Sequence, residues 1–186
     1  MMIYVAGASR ELDRVEAFIT VARLRGHELT HDWTVPVRAS RIAGKTDADH
    51  TDEEAAAYAS EDLQGIVTAD AFVLLAPAEG GSGAWAELGF ALGSFRGPIL
   101  VAGEHCRRSV FTRLAHATCL TDDAALMVLD KLEQDLRAAL AEAATWTCRV
   151  CGCTNARPCE GGCSWAQPNL CDRCVSDDGP LILGVR

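Results

Sequence analysis

The 186-residue chain has no run of about 20 apolar residues, the length that a membrane-spanning helix needs. It has no excess of positive charge either: 17 Lys and Arg stand against 26 Asp and Glu, a net of -9. Its longest basic cluster is the pair Arg107-Arg108, so the body offers no stripe for a phosphate backbone and nucleic acid is not an expected partner. Small anionic metabolites stay open, because a few local donors suffice for them. The opening MMIYVAGASR lacks the basic-then-apolar layout of an export signal and has the pattern of a buried strand, which makes the cytoplasm the expected compartment. His27, His31, His50, His105 and His116 show no pairing at metal-ligand spacing, and none is assigned a role. Cysteine is nearly missing from the first 146 residues, where only Cys106 and Cys119 occur.

What is present divides the chain in two. Hydrophobic residues make up 49% and charged residues 23%, enough to bury a proper core and exclude wholesale disorder. Seven of the nine cysteines fall between Cys148 and Cys174, in a segment without lysine or histidine and with little aliphatic content before Leu181. Cysteines so dense in an intracellular chain point to metal ligation rather than disulfides. The expected organisation is an α/β domain over 1–146 and a metal-dependent module over 147–186.

In the first segment, Ile3–Gly7, Glu28–Trp33, Ala71–Pro77, Pro98–Ala102 and Thr118–Leu120 have strand character. Helical spacing links Leu12, Val15, Ile19 and Ala22, with Ser9 as a cap and Gly26 as a stop. Further helices are expected from Thr51 toward Val67, over Ala84–Ser94, briefly over Ser109–Ala115, and from Leu126 to near Trp146. Residues 34–50, with Pro36 and Gly44, form a long polar loop in this reading. Strands alternating with helices predict a doubly wound, flavodoxin- or Rossmann-like parallel sheet of about five strands. Ligands of such sheets bind beyond the carboxyl ends of the strands, here Gly7–Arg10, the 34–50 loop, Ala76–Ser82 and the loop after Val101.

Several chemistry-bearing residues fall on those segments. Glu87 lies in the helix that follows Glu79-Gly-Gly-Ser-Gly83, where the helix N-terminus is expected to lower its pKa and hold it ionised as a nucleophile. Taken alone it is equally a surface glutamate favoured by the helix dipole. Gly80, Gly81 and Gly83 suit a phosphate cradle or merely a tight turn. Asp62, alone, is an ordinary solvated carboxylate; Tyr4 and Trp85, alone, are core residues, with base stacking as the other use of Trp85.

In combination these positions resemble the nucleoside 2-deoxyribosyltransferase family over the first ~105 residues. Ile3-Tyr4-Val5-Ala6-Gly7-Ala8 is similar to its opening strand and loop with the active-site tyrosine. The stretch from Asp62 to Asp70 is similar to its second signature, and Gly83-Ala84-Trp85-Ala86-Glu87-Leu88-Gly89-Phe90-Ala91 to its nucleophile signature. The resemblance implies attack by Glu87 on the anomeric carbon of a 2'-deoxynucleoside, steering or protonation of the leaving base by Asp62, and positioning of Glu87 by Tyr4. Gly81 stands where the family usually has Asp or Ser, with Ser82 beside it. Ser9, Arg10 and Ser82 match the polar residues that hold phosphate in the branch hydrolysing deoxynucleoside 5'-monophosphates. Gly7, Gly83 and Trp85 complete the substrate-binding set. No organic cofactor is implied, the partner is a small nucleoside or nucleotide, and a homo-oligomer is expected from the family. Ser82, Trp85 and Glu87 also resemble the glutamate motif of NAD-cleaving TIR-type domains. A non-catalytic nucleotide sensor with a protein-binding metal module is the alternative from another class.

In the second segment, Cys148-x2-Cys151 and Cys171-x2-Cys174 are two knuckles 19 residues apart, the spacing of a structural four-thiolate Zn2+ site. Cys153, Cys159 and Cys163 are left for a second metal, for exchange with the first set or for packing, and an iron–sulfur cluster is the other metal option. The run from Gly161 to Cys171 loosely resembles Cys-rich tails of phage-encoded proteins. Residues 147–186 carry four Arg and four Asp and Glu, a neutral balance that argues against a strong phosphate-backbone site. Trp165 is a candidate partner anchor, and Leu181-Ile182-Leu183 is expected to dock onto an apolar surface.

Overall fold

The computed structural model describes residues 1–46 and 49–175, so the Leu181–Leu183 segment lies outside the described residues. The chain forms two compact units, Met1–Lys131 and Leu132–Arg186, each treated by itself below.

The first unit is built on five parallel strands: β1 (Met2–Ala6), β2 (Glu28–Leu29), β3 (Ala71–Leu75), β4 (Ile99–Ala102) and β5 (Ala117–Cys119). Their spatial order is β2-β1-β3-β4-β5, the flavodoxin-like arrangement, whose switch point lies between β1 and β3. The register pairs Tyr4 with Phe72 and Ala6 with Leu74. All five residues of β3 are buried, which is why its sequence is continuously apolar rather than alternating.

Helices cover both faces. α1 (Leu12–Leu24) buries Leu12, Val15, Phe18, Ile19 and Ala22, and the start of α5 (Asp122–Ala144) buries Ala125, Leu126 and Leu129. Arg14 bonds Asp122 at 2.7 Å and Arg25 bonds Asp130 at 2.7 Å, tying these two helices together. On the other face α3 (Asp52–Thr68) and α4 (Ser82–Ser94) lie side by side against β1 and β3. There Tyr4, Ala6, Ile66, Phe72, Leu74, Ala84 and Leu88 form a single apolar cluster. A capping box of Thr51 and Glu54 starts α3: the Glu54 amide donates to Thr51 Oγ1 and the Thr51 amide to Glu54 Oε2.

Three local expectations are corrected. Residues 34–50 are not an unbroken loop, because Thr34–Ile42 forms α2. Pro36 sits in the first turn of that helix, where a missing N–H costs no hydrogen bond, so proline marks a helix start here and not a loop. The second strand stops at Leu29, leaving His31, Asp32 and Trp33 free of the sheet. Ser9 lies in a short 3-10 turn, Ser9–Glu11, and does not cap it. No helix among the described residues is long and apolar enough to cross a membrane.

In the second unit the described order comes from the end of α5, which runs to Ala144, and beyond it from turns, the short hairpin β6 (Trp165–Gln167) and β7 (Leu170–Cys171), and a final 3-10 turn. Asn169, at φ 55, makes the hairpin turn. The buried residues are Cys148, Cys153, Leu170 and Cys171, so sulfur occupies the place that aliphatic side chains hold in the first unit. Trp165 is spent internally: it packs edge-to-face on Trp146 with centroids 5.7 Å apart, and its indole N–H donates to Asn155.

Candidate functional site

Three elements bring Tyr4, Asp62 and Glu87 together. Tyr4 is on the central strand β1 and is fully buried, its ring stacked on Phe72 at 5.9 Å. Asp62 comes from α3 and Glu87 from α4, the two helices that share this face of the sheet. The Tyr4 hydroxyl, one Asp62 oxygen (Oδ1) and one Glu87 oxygen (Oε2) are buried, and none completes a hydrogen bond within the protein. Three unpartnered polar atoms at one spot are costly to a fold and are a common mark of a site that awaits a ligand.

Gly65 makes this convergence feasible. A Cβ there would come within 2.8 Å of His31 Cβ and 2.9 Å of the Tyr4 ring, so only glycine lets α3 approach β1 so closely one turn beyond Asp62. Gly81 starts α4 at φ 72 against Pro77, a left-handed conformation that glycine adopts without strain. These two glycines fix where the helices carrying the carboxylates begin and pack.

The electrostatics correct one sequence-based expectation. Glu87 is not held ionised by its helix; its pKa is pushed up to about 8, mainly by burial and further by the negative charge of Asp62. It is the sixth residue of α4, beyond the first turn where the helix dipole acts, so desolvation wins. Asp62 is also raised by burial, opposed by Tyr4 and by His31, whose Nε2 is 3.6 Å from Asp62 Oδ1. The Tyr4 hydroxyl is held protonated, through burial first and then the two carboxylates. The three groups thus form a proton-sharing set, with Glu87 carrying the proton in the free protein at neutral pH.

Asp62 and Glu87 of this set stand in the wall of a cleft of about 640 Å³ lined by Gly7, Ser9, Arg10, Gly81, Ser82 and Gly83 among others, while Tyr4 is buried and does not line it. Trp85 is not part of this lining; it packs half-buried against the core cluster. Arg10 lies over Gly80. The loop after Val101 contributes instead to a separate depression formed by Gly103, Glu104, His105, Glu11 and Arg14.

Sequence reasoning missed part of the wall. His31, Trp33, Arg41, Lys45, His50 and Tyr58 line the same cleft. Trp33 is oriented by its indole N–H, which donates to the Val5 carbonyl at 2.7 Å, and the guanidinium of Arg41 donates to the Ser9 carbonyl. His50 meets the Tyr58 ring edge-on at 5.4 Å. Among these, only the long segment between the second strand and Thr51, placed beyond a strand's carboxyl end, offered a signal. The spacing of histidines along the chain carries no information on a carboxylate from another helix, such as Asp62 beside His31.

In the second unit, Cys148, Cys151, Cys171 and Cys174 bring their sulfurs within 4.8 Å of one another, a cluster capable of holding a metal ion. Cys151, Cys153, Cys159 and Cys171 form a second such group. The cysteines are free thiols, and their closest sulfur–sulfur separations of 3.5–3.9 Å are far beyond a disulfide bond.

The first unit therefore belongs to the class of five-stranded parallel α/β folds with a carboxylate-lined cleft at the switch point. Comparison of the chain with protein-family models, curated proteins and solved structures gives no match.

Proposed function

We propose that the first unit cleaves the N-glycosidic bond of a 2'-deoxynucleoside or its 5'-monophosphate, with Glu87 as nucleophile and water or a second base as acceptor. The observation that carries this reading is the pair Asp62 and Glu87 in the wall of one cleft, each with a buried oxygen that completes no hydrogen bond, electrostatically coupled to the buried Tyr4 hydroxyl behind them. It agrees with the family resemblance, which was drawn from three separate stretches of chain that the fold brings together.

Two carboxylates at one centre serve a retaining substitution, one as nucleophile and one as acid. The productive form has Glu87 ionised and the shared proton on Asp62, with Tyr4 placed to steady both. Glu87 attacks C1' as the C1'–N bond breaks; the bonding pair goes to the base nitrogen, and Asp62 gives that atom its proton. The product of this step is a deoxyribosyl ester on Glu87. Water or a second base then attacks C1', its proton passes to Asp62, and the ester breaks to restore the Glu87 carboxylate. Arg10, Arg41 and Lys45 line the cleft as cations and suit a 5'-phosphate, with Ser9 and Ser82 as hydroxyl donors.

The same reading assigns zinc, in a structural role, to Cys148, Cys151, Cys171 and Cys174: four thiolates close a tetrahedral sphere and leave no position for catalysis. A homo-oligomer belongs to this reading too; Leu63 and Val67, exposed on α3, supply apolar surface for a second copy.

The test is chromatography of the protein incubated with deoxynucleosides, their 5'-monophosphates and NAD, each with and without a second free base. Base released by wild type and not by Glu87→Ala supports the proposal, and a new nucleoside identifies transfer over hydrolysis. Consumption of NAD alone would favour the TIR-like reading. No turnover of any substrate would leave a nucleotide-binding role, and Arg10→Ala with unchanged affinity for monophosphates would remove the phosphate preference.

A further inference from the structure

The seven clustered cysteines exceed what one tetrahedral ion uses. A single ion at Cys148, Cys151, Cys171 and Cys174 would leave three further thiols beside it, Cys153 buried and Cys159 and Cys163 partly buried. Among the described residues, the apolar side chains packed among the sulfurs are Leu170, Trp165 and Val175, too few to form a core by themselves.

The geometry points to a different arrangement: we propose that the module binds two zinc ions in one cluster, with Cys151 and Cys171 shared between them. The first ion takes Cys148, Cys151, Cys171 and Cys174, and the second takes Cys151, Cys153, Cys159 and Cys171. The two groups of four have these two sulfurs in common, so they define tetrahedra that share an edge. That edge, Cys151 Sγ to Cys171 Sγ, is 3.7 Å long. Two further edges of the second group, Cys151–Cys159 and Cys159–Cys171, are 3.5 and 3.9 Å. A tetrahedron with zinc–sulfur bonds of about 2.3 Å has edges of about 3.8 Å.

Cys163 lies outside both tetrahedra, in a supporting position. Its sulfur is 3.6 Å from Cys153 Sγ and accepts the Cys159 amide at 3.3 Å, holding the two ligands that belong to the second ion alone. The backbone forms a knuckle around the first pair, with the Cys148 amide donating to Cys153 O and the Gly152 amide to Cys148 O, each at 2.8 Å. Six thiols lose their protons to solvent as two dications enter, leaving a cluster of net charge minus two. This assignment is independent of the glycosidic chemistry proposed for the cleft.

The test is metal analysis of the full-length protein, purified with zinc and separately reconstituted with Co2+. The expected result is two ions per chain, with the magnetic moment per cobalt falling between the first and second equivalents because bridging thiolates couple the two centres. Cys174→Ser and Cys153→Ser should each retain one ion and Cys163→Ser two, while Cys171→Ser should lose both. One ion per wild-type chain would overturn the proposal, as would two cobalt ions with an undiminished moment, or iron accompanied by acid-labile sulfide. The wild-type stoichiometry and moment decide the matter even where a variant fails to fold.

Discussion

The two units solve the same problem with different materials. The first buries Ile3, Val5, Phe72, Leu74, Leu100 and their neighbours, and its order follows from apolar surface removed from water. Among its described residues the second buries Cys148, Cys153 and Cys171, with Leu170 as the one buried aliphatic residue, and its sulfurs are grouped so that they could hold a metal ion. The first unit can therefore tolerate strained polar groups in its wall, because the sheet beneath holds them in place. In the second unit the polar atoms are themselves the core, and little remains for a separate chemical task.

Metal removal is the strongest way to separate the two. A high-affinity chelator applied to the full chain is expected to abolish hydrogen-exchange protection across 147–175 while amides of β1, β3 and β4 stay protected. Equal loss in both units would mean that the sheet depends on the metal. The next largest effect belongs to the cleft: Glu87→Gln should lower turnover by about 10³-fold or more while leaving metal content intact and the fold no less stable, measured by base release and metal analysis. Leu74→Ala, in the fully buried third strand, is expected to cost about 2–5 kcal/mol in the denaturant transition of the first unit. Leu170→Ala should leave that transition unmoved.

The smallest effect sharpens the account of Glu87. Its carboxyl is raised from 4.5 to about 8, so the folded protein keeps a proton that the unfolded chain releases. Stability from this group is fully present below about pH 4.5 and is lost as pH rises through about 8. Glu87→Gln removes that loss, and its melting temperature should exceed that of wild type by a few degrees at pH 8–9, on the order of 2 kcal/mol, with the gap closing near pH 4. The same titration removes the proton that Asp62 must give to the leaving base, so kcat/KM of wild type should fall as pH rises through about 8.

Much of the first unit was legible because its strands are short apolar runs and its helices begin at recognisable residues. Thr51 marks the start of α3, and the glycines before Ser82 mark the turn into α4. The helix over Thr34–Ile42 was hidden because it buries only Thr34, so no apolar stripe marks it. Tyr4, Asp62 and Glu87 were found through motifs, yet their shared protonation was not, since it depends on desolvation that appears only when α3 and α4 close on β1. His31 and Arg41 were invisible for a related reason: their neighbours are distant in sequence. The cysteine spacing revealed one four-sulfur group, but spacing does not tell which sulfurs two groups share.

The central claim is that Glu87 forms a covalent bond to the sugar. Intact-mass spectrometry of the protein, quenched during turnover of a deoxynucleoside 5'-monophosphate and followed by peptide mapping, tests it most directly. The account predicts a mass increase of one deoxyribosyl phosphate unit on the peptide that carries Glu87, absent in Glu87→Gln. Release of base with no adduct on a slowly resolved substrate analogue, or an adduct on another residue, would contradict it.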